Sequence, residues 1–221
     1  MRGFLAVIAV GLVGLYLLLA YGVQSTSTYR YRLQVELDTP QGRKTASSVI
    51  EVLVRKVEWG TPESKGTKIE IVAGEALYFD MGGGRNLVAA MTSGADGQEN
   101  YDFTRIAELS VQAATGKYPD LAKMGEQRGT LTVPETAWPT LVRFANVSDA
   151  FSCRVVAPAD LAQEFGTGTR LRAVTVTFTD DRPGGDIEKK LPFLKRQADQ
   201  LQRLYSYAGK FSPQPYYFVI N

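Results

Sequence analysis

The chain has 221 residues, of which 44% are hydrophobic, and its 25 Lys and Arg against 23 Asp and Glu give a net charge of +2. This is the composition of a folded protein, and it excludes the clustered positive charge that nucleic-acid binding needs. The absence of histidine excludes Ser-His-Asp catalysis and His-ligated zinc. The single cysteine, Cys153, predicts a half-buried strand residue, not a nucleophile. We therefore predict no cofactor, no metal and no nucleic-acid partner.

An apolar segment opens the chain. Residues 3–23 carry no charged side chain, and a helix of this length is roughly 31 Å long, which matches the hydrocarbon core of a bilayer. We predict a single-pass transmembrane anchor over residues 1–24 and an α+β extracytoplasmic domain over 25–221. The side chains expected to contact lipid are Phe4, Leu5, Val7, Ile8, Leu12, Leu15, Leu17, Leu18 and Leu19.

A cleaved signal peptide is the second interpretation of this segment. Ala20 and Gly22 supply the small residues of a cleavage site before Val23, but the apolar run is longer than the usual core of a signal peptide, which favours the anchor. Keeping Arg2 inside places the body on the outer side of the membrane, and Arg30 and Arg32, which follow the segment, reduce that bias.

Alternating polar and apolar residues predict antiparallel strands through the first half of the body. Residues 29–37 and 49–59 are joined by the turn-forming sequence DTPQG, which predicts a hairpin. A third strand follows in KIEIV, where Ile69 and Ile71 share a face. Two more, EALYFDM and NLVAAMT, are joined by GGGR, which we interpret as a hairpin turn because the phosphate-binding loop pattern is absent.

The second half of the sequence predicts short helices and strands. Residues 104–114 have the spacing of a helix, with Asp102 or Thr104 as its N-cap and Gly116 just past its end. Further strands are expected in GTLTVP, AWPTLVRFAN, CRVVA and RLRAVTVTFT, and a second short helix in PADLAQEFG. The fold class predicted is α+β: the transmembrane helix, a mainly antiparallel β body with two short helices, and a longer C-terminal helix. Two lobes dividing near 95–102 are possible.

The sequence DDRPGGDIEKKLPFL, residues 180–194, holds the densest group of charges. We interpret Pro183 and the two glycines after it as a turn and Asp186 as the cap of a helical turn. Pro192 then opens the longer helix, whose apolar stripe is Phe193, Leu194, Gln197, Leu201 and Leu204. The spacing of the acids does not match an EF-hand.

Several phrases in order resemble a group of proteobacterial proteins of unknown activity with one N-terminal membrane segment. They are YRYRLQVEL, SSVIEV, GEALYFDMGGGRNL, VPETAWPTLVRF, DLAQEFGTGTRL and TDDRPGGDIEKKLPFL. The resemblance covers nearly the whole chain and implies a location in the bacterial inner membrane with a periplasmic body. It implies no catalytic residue or ligand.

The first functional hypothesis is a membrane-tethered extracytoplasmic interaction or structural module. It would bind an envelope protein through a sheet face or edge, with the tail residues Phe211, Tyr216, Tyr217 and Phe218 as candidate contacts. The second is an envelope hydrolase that uses carboxylates alone, for which the candidates are Asp80, Asp180, Asp181 and Glu188. The third is a β domain that binds a small molecule or lipid in an apolar cavity. The absence of a recognisable nucleophile and base favours the first.

Overall fold

The computed structural model describes residue 14 and residues 23–59, 65–94, 103–196 and 217–220, and two antiparallel sheets dominate them. The strands are β1 (Val23–Thr39), β2 (Gly42–Trp59), β3 (Gly66–Glu75), β4 (Leu77–Gly82), β5 (Arg85–Ser93), β6 (Thr130–Thr132), β7 (Pro139–Phe144), β8 (Cys153–Val155), β9 (Arg170–Phe178) and β10 (Val219–Ile220). One sheet has the order β10-β3-β2-β1-β9-β6, and the other β4-β5-β7-β8.

The helices of the described residues are short. They are α1 (Ile106–Thr115), α2 (Leu161–Phe165) and α3 (Ile187–Lys190), with 3₁₀ turns at Leu121–Glu126, Glu135–Ala137, Ala150–Ser152, Pro158–Asp160 and Pro192–Arg196. Gly116 ends α1 in the left-handed conformation at φ 70°, as predicted, but its N-cap is Arg105 and not Thr104. Asp102 lies outside the described residues.

The main core lies between the two sheets. Alternate residues of β1 point into it, and they are Tyr29, Tyr31, Leu33, Val35 and Leu37. The four-stranded sheet contributes Leu77, Phe79 and Met81 from β4. The side chains between the buried ones on β1 form ion pairs on the outer face, such as Arg30 Nε to Glu51 Oε2 at 2.7 Å. This period of two is what the alternation in the sequence predicts.

A second core covers the other face of the four-stranded sheet. The rings of Phe144, Phe193 and Phe218 meet there, with centroids 5.4 to 5.7 Å apart. Phe193 follows α3 and Phe218 precedes β10, so the described residues of the C-terminal part, 187–194 and 217–219, form a third layer on this sheet. Burying three phenyl rings makes this layer a large contributor to stability.

The predicted fold class is wrong. The described residues form mainly two antiparallel sheets with a few short helices, and they show no longer C-terminal helix. A 3₁₀ turn, Pro192–Arg196, lies where that helix was predicted to begin. Phe193 and Leu194 are both buried, because the chain here wraps onto a sheet instead of presenting one helical stripe. Gln197, Leu201 and Leu204 lie outside the described residues.

The transmembrane helix in that prediction is contradicted as well. No helix among the described residues is long and apolar enough to cross a membrane. The nine lipid-contacting residues predicted between Phe4 and Leu19 lie outside the described part of the chain, as does the division near 95–102. The location in the bacterial inner membrane stays a prediction from sequence.

Candidate functional site

The four candidate catalytic acids are not gathered into one site. Asp80 lies at the β4–β5 turn of the four-stranded sheet, where its Oδ1 accepts a hydrogen bond from the amide of Gly82 at 2.8 Å. Asp181 lies against the six-stranded sheet, where Arg32 donates to its Oδ2 at 2.6 Å and holds the pKa of that carboxyl below its usual value. Each carboxylate therefore has a structural partner of its own.

The other two acids lie along residues 179–186, which we call the crossing segment, and just after it. The segment runs from the end of β9, past β1, to the end of β3: Arg30 donates to the carbonyl of Asp180 at 3.4 Å, and Gly185 lies against Glu75. Glu188 follows in α3. The densest acidic stretch of the sequence thus crosses the six-stranded sheet and leads into α3.

The cap of α3 comes from a distant strand. The amide of Ile187 donates to Glu75 Oε2 at 3.2 Å, while the side chain of Asp186 makes no capping hydrogen bond and instead pairs with Lys190, 3.8 Å away. Asp186 therefore holds the predicted N-cap position of this helical turn, but the capping hydrogen bond comes from Glu75. A carboxylate near the first amides of a helix stabilises it whichever element supplies it.

We expect Gly185→Ala to destabilise the protein by about 1–3 kcal/mol. A Cβ on Gly185 would lie 2.0 Å from Glu75 Oε2, so the carboxylate would have to move away from Ile187. Gly184→Ala is a matched control, because a Cβ there meets nothing within 4 Å, and it should change stability by less than about 1 kcal/mol. Urea unfolding of both variants measures the difference. Equal effects would mean that the Glu75 contact does not hold the segment.

A buried carboxylate, which the sequence analysis missed, lies under α1. Glu108 is 0% exposed, and its Oε2 accepts hydrogen bonds from the hydroxyl of Tyr118 and from Arg105 Nε, the latter at 3.3 Å. Arg105 also donates to the Tyr118 hydroxyl at 2.7 Å. The arginine and the tyrosine are both partly exposed, so they close this polar group off from solvent.

Three buried oxygens near Glu108 have no protein partner: its own Oε1 and the hydroxyls of Tyr29 and Tyr31. Burial, with the nearby charge of Glu108 as a smaller cause, raises the pKa of both tyrosines. Such groups are satisfied in folded proteins by enclosed water. The cluster can therefore hold ordered water inside the sandwich, and its hydroxyls stay protonated.

Only a weak signal in the sequence points to this cluster. Helical spacing places Ile106, Leu109 and Ala113 on one face of α1, but Ala113 is exposed, and the buried residues also include Ala107, Glu108 and Val111. A glutamate between apolar residues of a helix is usually predicted to face solvent. Only the packing of α1 over Tyr29 shows that it faces inward.

A second charged cluster fixes α2 to the four-stranded sheet. Glu164 accepts from Arg143 at 3.1 Å and from Arg154, and its carbonyl accepts from Arg85 at 3.3 Å. The hydrogen bond from Arg154 is the main cause that lowers the pKa of Glu164. Arg143 and Arg154 are direct cross-strand partners, and like charges in that position repel, so the carboxylate between them has a structural role.

The described residues contain neither a reactive thiol nor a metal cluster. Cys153 is buried, and desolvation raises the pKa of its thiol to about 12, which is the opposite of an activated nucleophile. In the part of the chain that the structure describes, no three acidic or cysteine side chains are close enough to hold a metal ion.

A hollow of about 410 Å³ lies between the 3₁₀ turn Leu121–Glu126 and the far ends of β1 and β2. Its lining mixes the apolar Val54 and Leu121 with the charged Lys56 and Asp120. A site for a small apolar ligand is mostly apolar and encloses most of the ligand. This hollow is open to solvent and would enclose only part of such a ligand.

The edge of the six-stranded sheet is the feature best suited to binding. On the side away from β2, β3 pairs only with β10, which covers Gly74 and Glu75. Along residues 66–73 no described strand pairs with that side of β3. Val219 and Ile220 of the chain's tail pair with Glu75 and Gly74 of β3.

The predicted interaction residues of the tail are placed in part. Tyr217 and Phe218 are 6% and 0% exposed and belong to the second core. Phe211 and Tyr216 lie outside the described residues.

Comparison with known proteins gives no relative. The chain matches no protein-family model, no curated protein and no solved structure.

Proposed function

We propose that this protein is an interaction module that binds an extended protein segment along the free edge of β3 by strand addition. The observation that carries the proposal is the length of that edge. Residues 66–73 of β3 offer backbone amides and carbonyls that no described strand uses. An extended segment bound there would gain main-chain hydrogen bonds. Its alternate side chains would contact residues on the two faces of the sheet, and these contacts would give specificity.

The other sheet edges are less suited. The outermost strands β6 and β8 have three residues each, and very short edge strands are a common protection against unwanted pairing. The outer edge of the second sheet is β4, whose six residues end at the turn where Asp80 binds the amide of Gly82. Residues 42–50 of β2 and 23–30 of β1 also lack a described strand partner on one side, but the crossing segment and the 3₁₀ turn Leu121–Glu126, respectively, lie beside them. Among the outer strands described, β3 has the longest unpaired run.

The side chains of β3 suit a selective edge. Lys68 and Glu70 are exposed on the outer face, whereas Ile69 and Ile71 are half-buried on the core side. Charge on an edge strand opposes indiscriminate pairing, and it favours a segment whose charges complement it. The scattered positions of the candidate catalytic acids give no comparable support to the hydrolase hypothesis.

Site-specific photo-crosslinking tests the proposal. A photoreactive amino acid replaces Thr67, which is exposed on β3, in the full chain made in its own cells. The control replaces Gln34, which lies on the outer face of β1 with β2 on one side and β9 on the other. We expect a discrete protein adduct from position 67 and none from position 34. Failure to crosslink at 67, or the same adducts from both positions, would argue against binding at this edge.

A further inference from the structure

We infer that the segment bound by β3 is β3 of a second copy of this chain, paired antiparallel about a two-fold axis at Ile69. This inference rests on the proposed function and names its partner. It follows from three features of the edge: the faces on which its side chains lie, the order of its charges and the place where β10 begins.

Alternation limits the possible registers. In an antiparallel pair, directly opposite residues lie on the same face of the sheet. Two copies of β3 related by a two-fold axis must therefore be centred on a residue and not between residues. Centres at Lys68 or at Glu70 place two like charges directly opposite each other, which is unfavourable.

The centre at Ile69 is different. It places Lys68 of each copy opposite Glu70 of the other, so two ion pairs form on the outer face. On the core side it places the two Ile69 side chains together and sets each Thr67 opposite Ile71, which adds cover to two half-buried isoleucines. An interface between identical chains must be self-complementary in this way.

The charges within one copy favour the same register. Across β2 and β3, Lys68 is directly opposite Arg55, and two cations in that position repel. Glu70 is 3.0 Å from Arg55, while Lys68 has no ion pair with a described residue. Glu70 of the second copy would supply the carboxylate that Lys68 lacks.

The available length fits as well. β10 covers β3 from Gly74 onward, and the β2–β3 register shifts between Glu51 and Val52, so that Val72 is an extra residue in β3. A bulge of this kind ends regular pairing. The regular free run therefore ends at Ile71, and a pairing centred on Ile69 uses Thr67 to Ile71 of each copy without displacing β10.

Charge reversal tests the register. Lys68→Glu leaves two acids on the edge of each copy, and Glu70→Lys leaves two lysines. Each variant alone should dimerise about tenfold to a hundredfold more weakly than the natural chain, because every cross-strand pair becomes repulsive. A 1:1 mixture should restore dimers, since each edge then meets its opposite. Sedimentation of the full chain measures all four samples, and thermal unfolding checks that each variant is folded.

Cysteine crosslinking is a second test that needs no charge reversal. Ile69→Cys should form an intermolecular disulfide on oxidation, because opposite Cα atoms of paired strands lie within disulfide range. Thr67→Cys is the control: in this register it faces residue 71, so its own counterpart is out of reach. The natural Cys153 is buried and should not crosslink.

The outcomes separate the two proposals. A monomeric natural chain, or variants that dimerise as well as it does, would overturn the second-copy inference. If position 67 then still crosslinks to a different protein, strand addition stands and only the partner changes. A monomer without adducts from position 67 would overturn both.

Discussion

Replacing Phe218 with alanine is expected to destabilise the protein by about 3–5 kcal/mol. The ring is fully buried, in contact with Phe144 at 5.7 Å and Phe193 at 5.5 Å between centroids. Its removal leaves a cavity between the four-stranded sheet and the C-terminal layer, and the carbonyl of the same residue accepts from the amide of Ala76. The midpoint and slope of urea unfolding give the change in free energy.

The control for Phe218 is its neighbour Ile220. Ile220 is half-buried, so Ile220→Ala should cost less than half as much if the effect depends on the ring cluster. A cost below about 1 kcal/mol for Phe218→Ala would show that the C-terminal layer is a loose cover that unfolds by itself.

Glu108→Ala is expected to cost about 2–4 kcal/mol. Removing one member of a buried ion pair leaves its partners without a counter-charge, which typically costs about 3–5 kcal/mol. The value here is lower because Arg105 and Tyr118 are partly exposed and can turn to water. Thermal and urea unfolding at neutral pH measure the change.

Gln112→Ala, on an exposed turn of the same helix, is the matched control and should be neutral or slightly stabilising, since alanine is the better helix former. If Glu108→Ala changed the free energy of unfolding as little as this control does, the buried carboxylate would not stabilise the core. A stability gain would lead to the same conclusion, because an unpartnered Oε1 is costly to bury.

Local patterns predicted the strands well. β1 and β2 follow from alternation and a turn-forming sequence, and the three glycines Gly82 to Gly84 all have positive φ in the β4–β5 turn. These features depend on neighbours in sequence, where side-chain period and turn chemistry suffice. The number of strands and their antiparallel pairing could therefore be predicted from the sequence.

Contacts between distant residues were not predicted. Glu75 caps Ile187 from another strand, so the nearer Asp186 looked like the better candidate. Phe193 and Leu194 are compatible both with the apolar stripe of a helix and with a segment packed on a sheet. The contact of Phe193 with Phe144 of the four-stranded sheet distinguishes the two, and it is visible only in the folded structure. Glu108 looked exposed for the same reason. The free edge of β3 depends on where β10 stops, which composition does not encode.

The position of β1 has a consequence for how the chain is made. β1 pairs on one side with β2, which follows it at once, and on the other with β9, where Tyr31 meets Phe178. A ribosome adds roughly 5–20 residues per second. The edge of β1 that pairs with β9 therefore stays unpaired for on the order of ten seconds after the β1–β2 hairpin is synthesised. Pairings so far apart in sequence also form slowly. Ion pairs on the outer face of β1, such as Arg30 with Glu51, form within the β1–β2 hairpin. Their charges oppose aggregation of the hairpin with other nascent chains before β9 is synthesised.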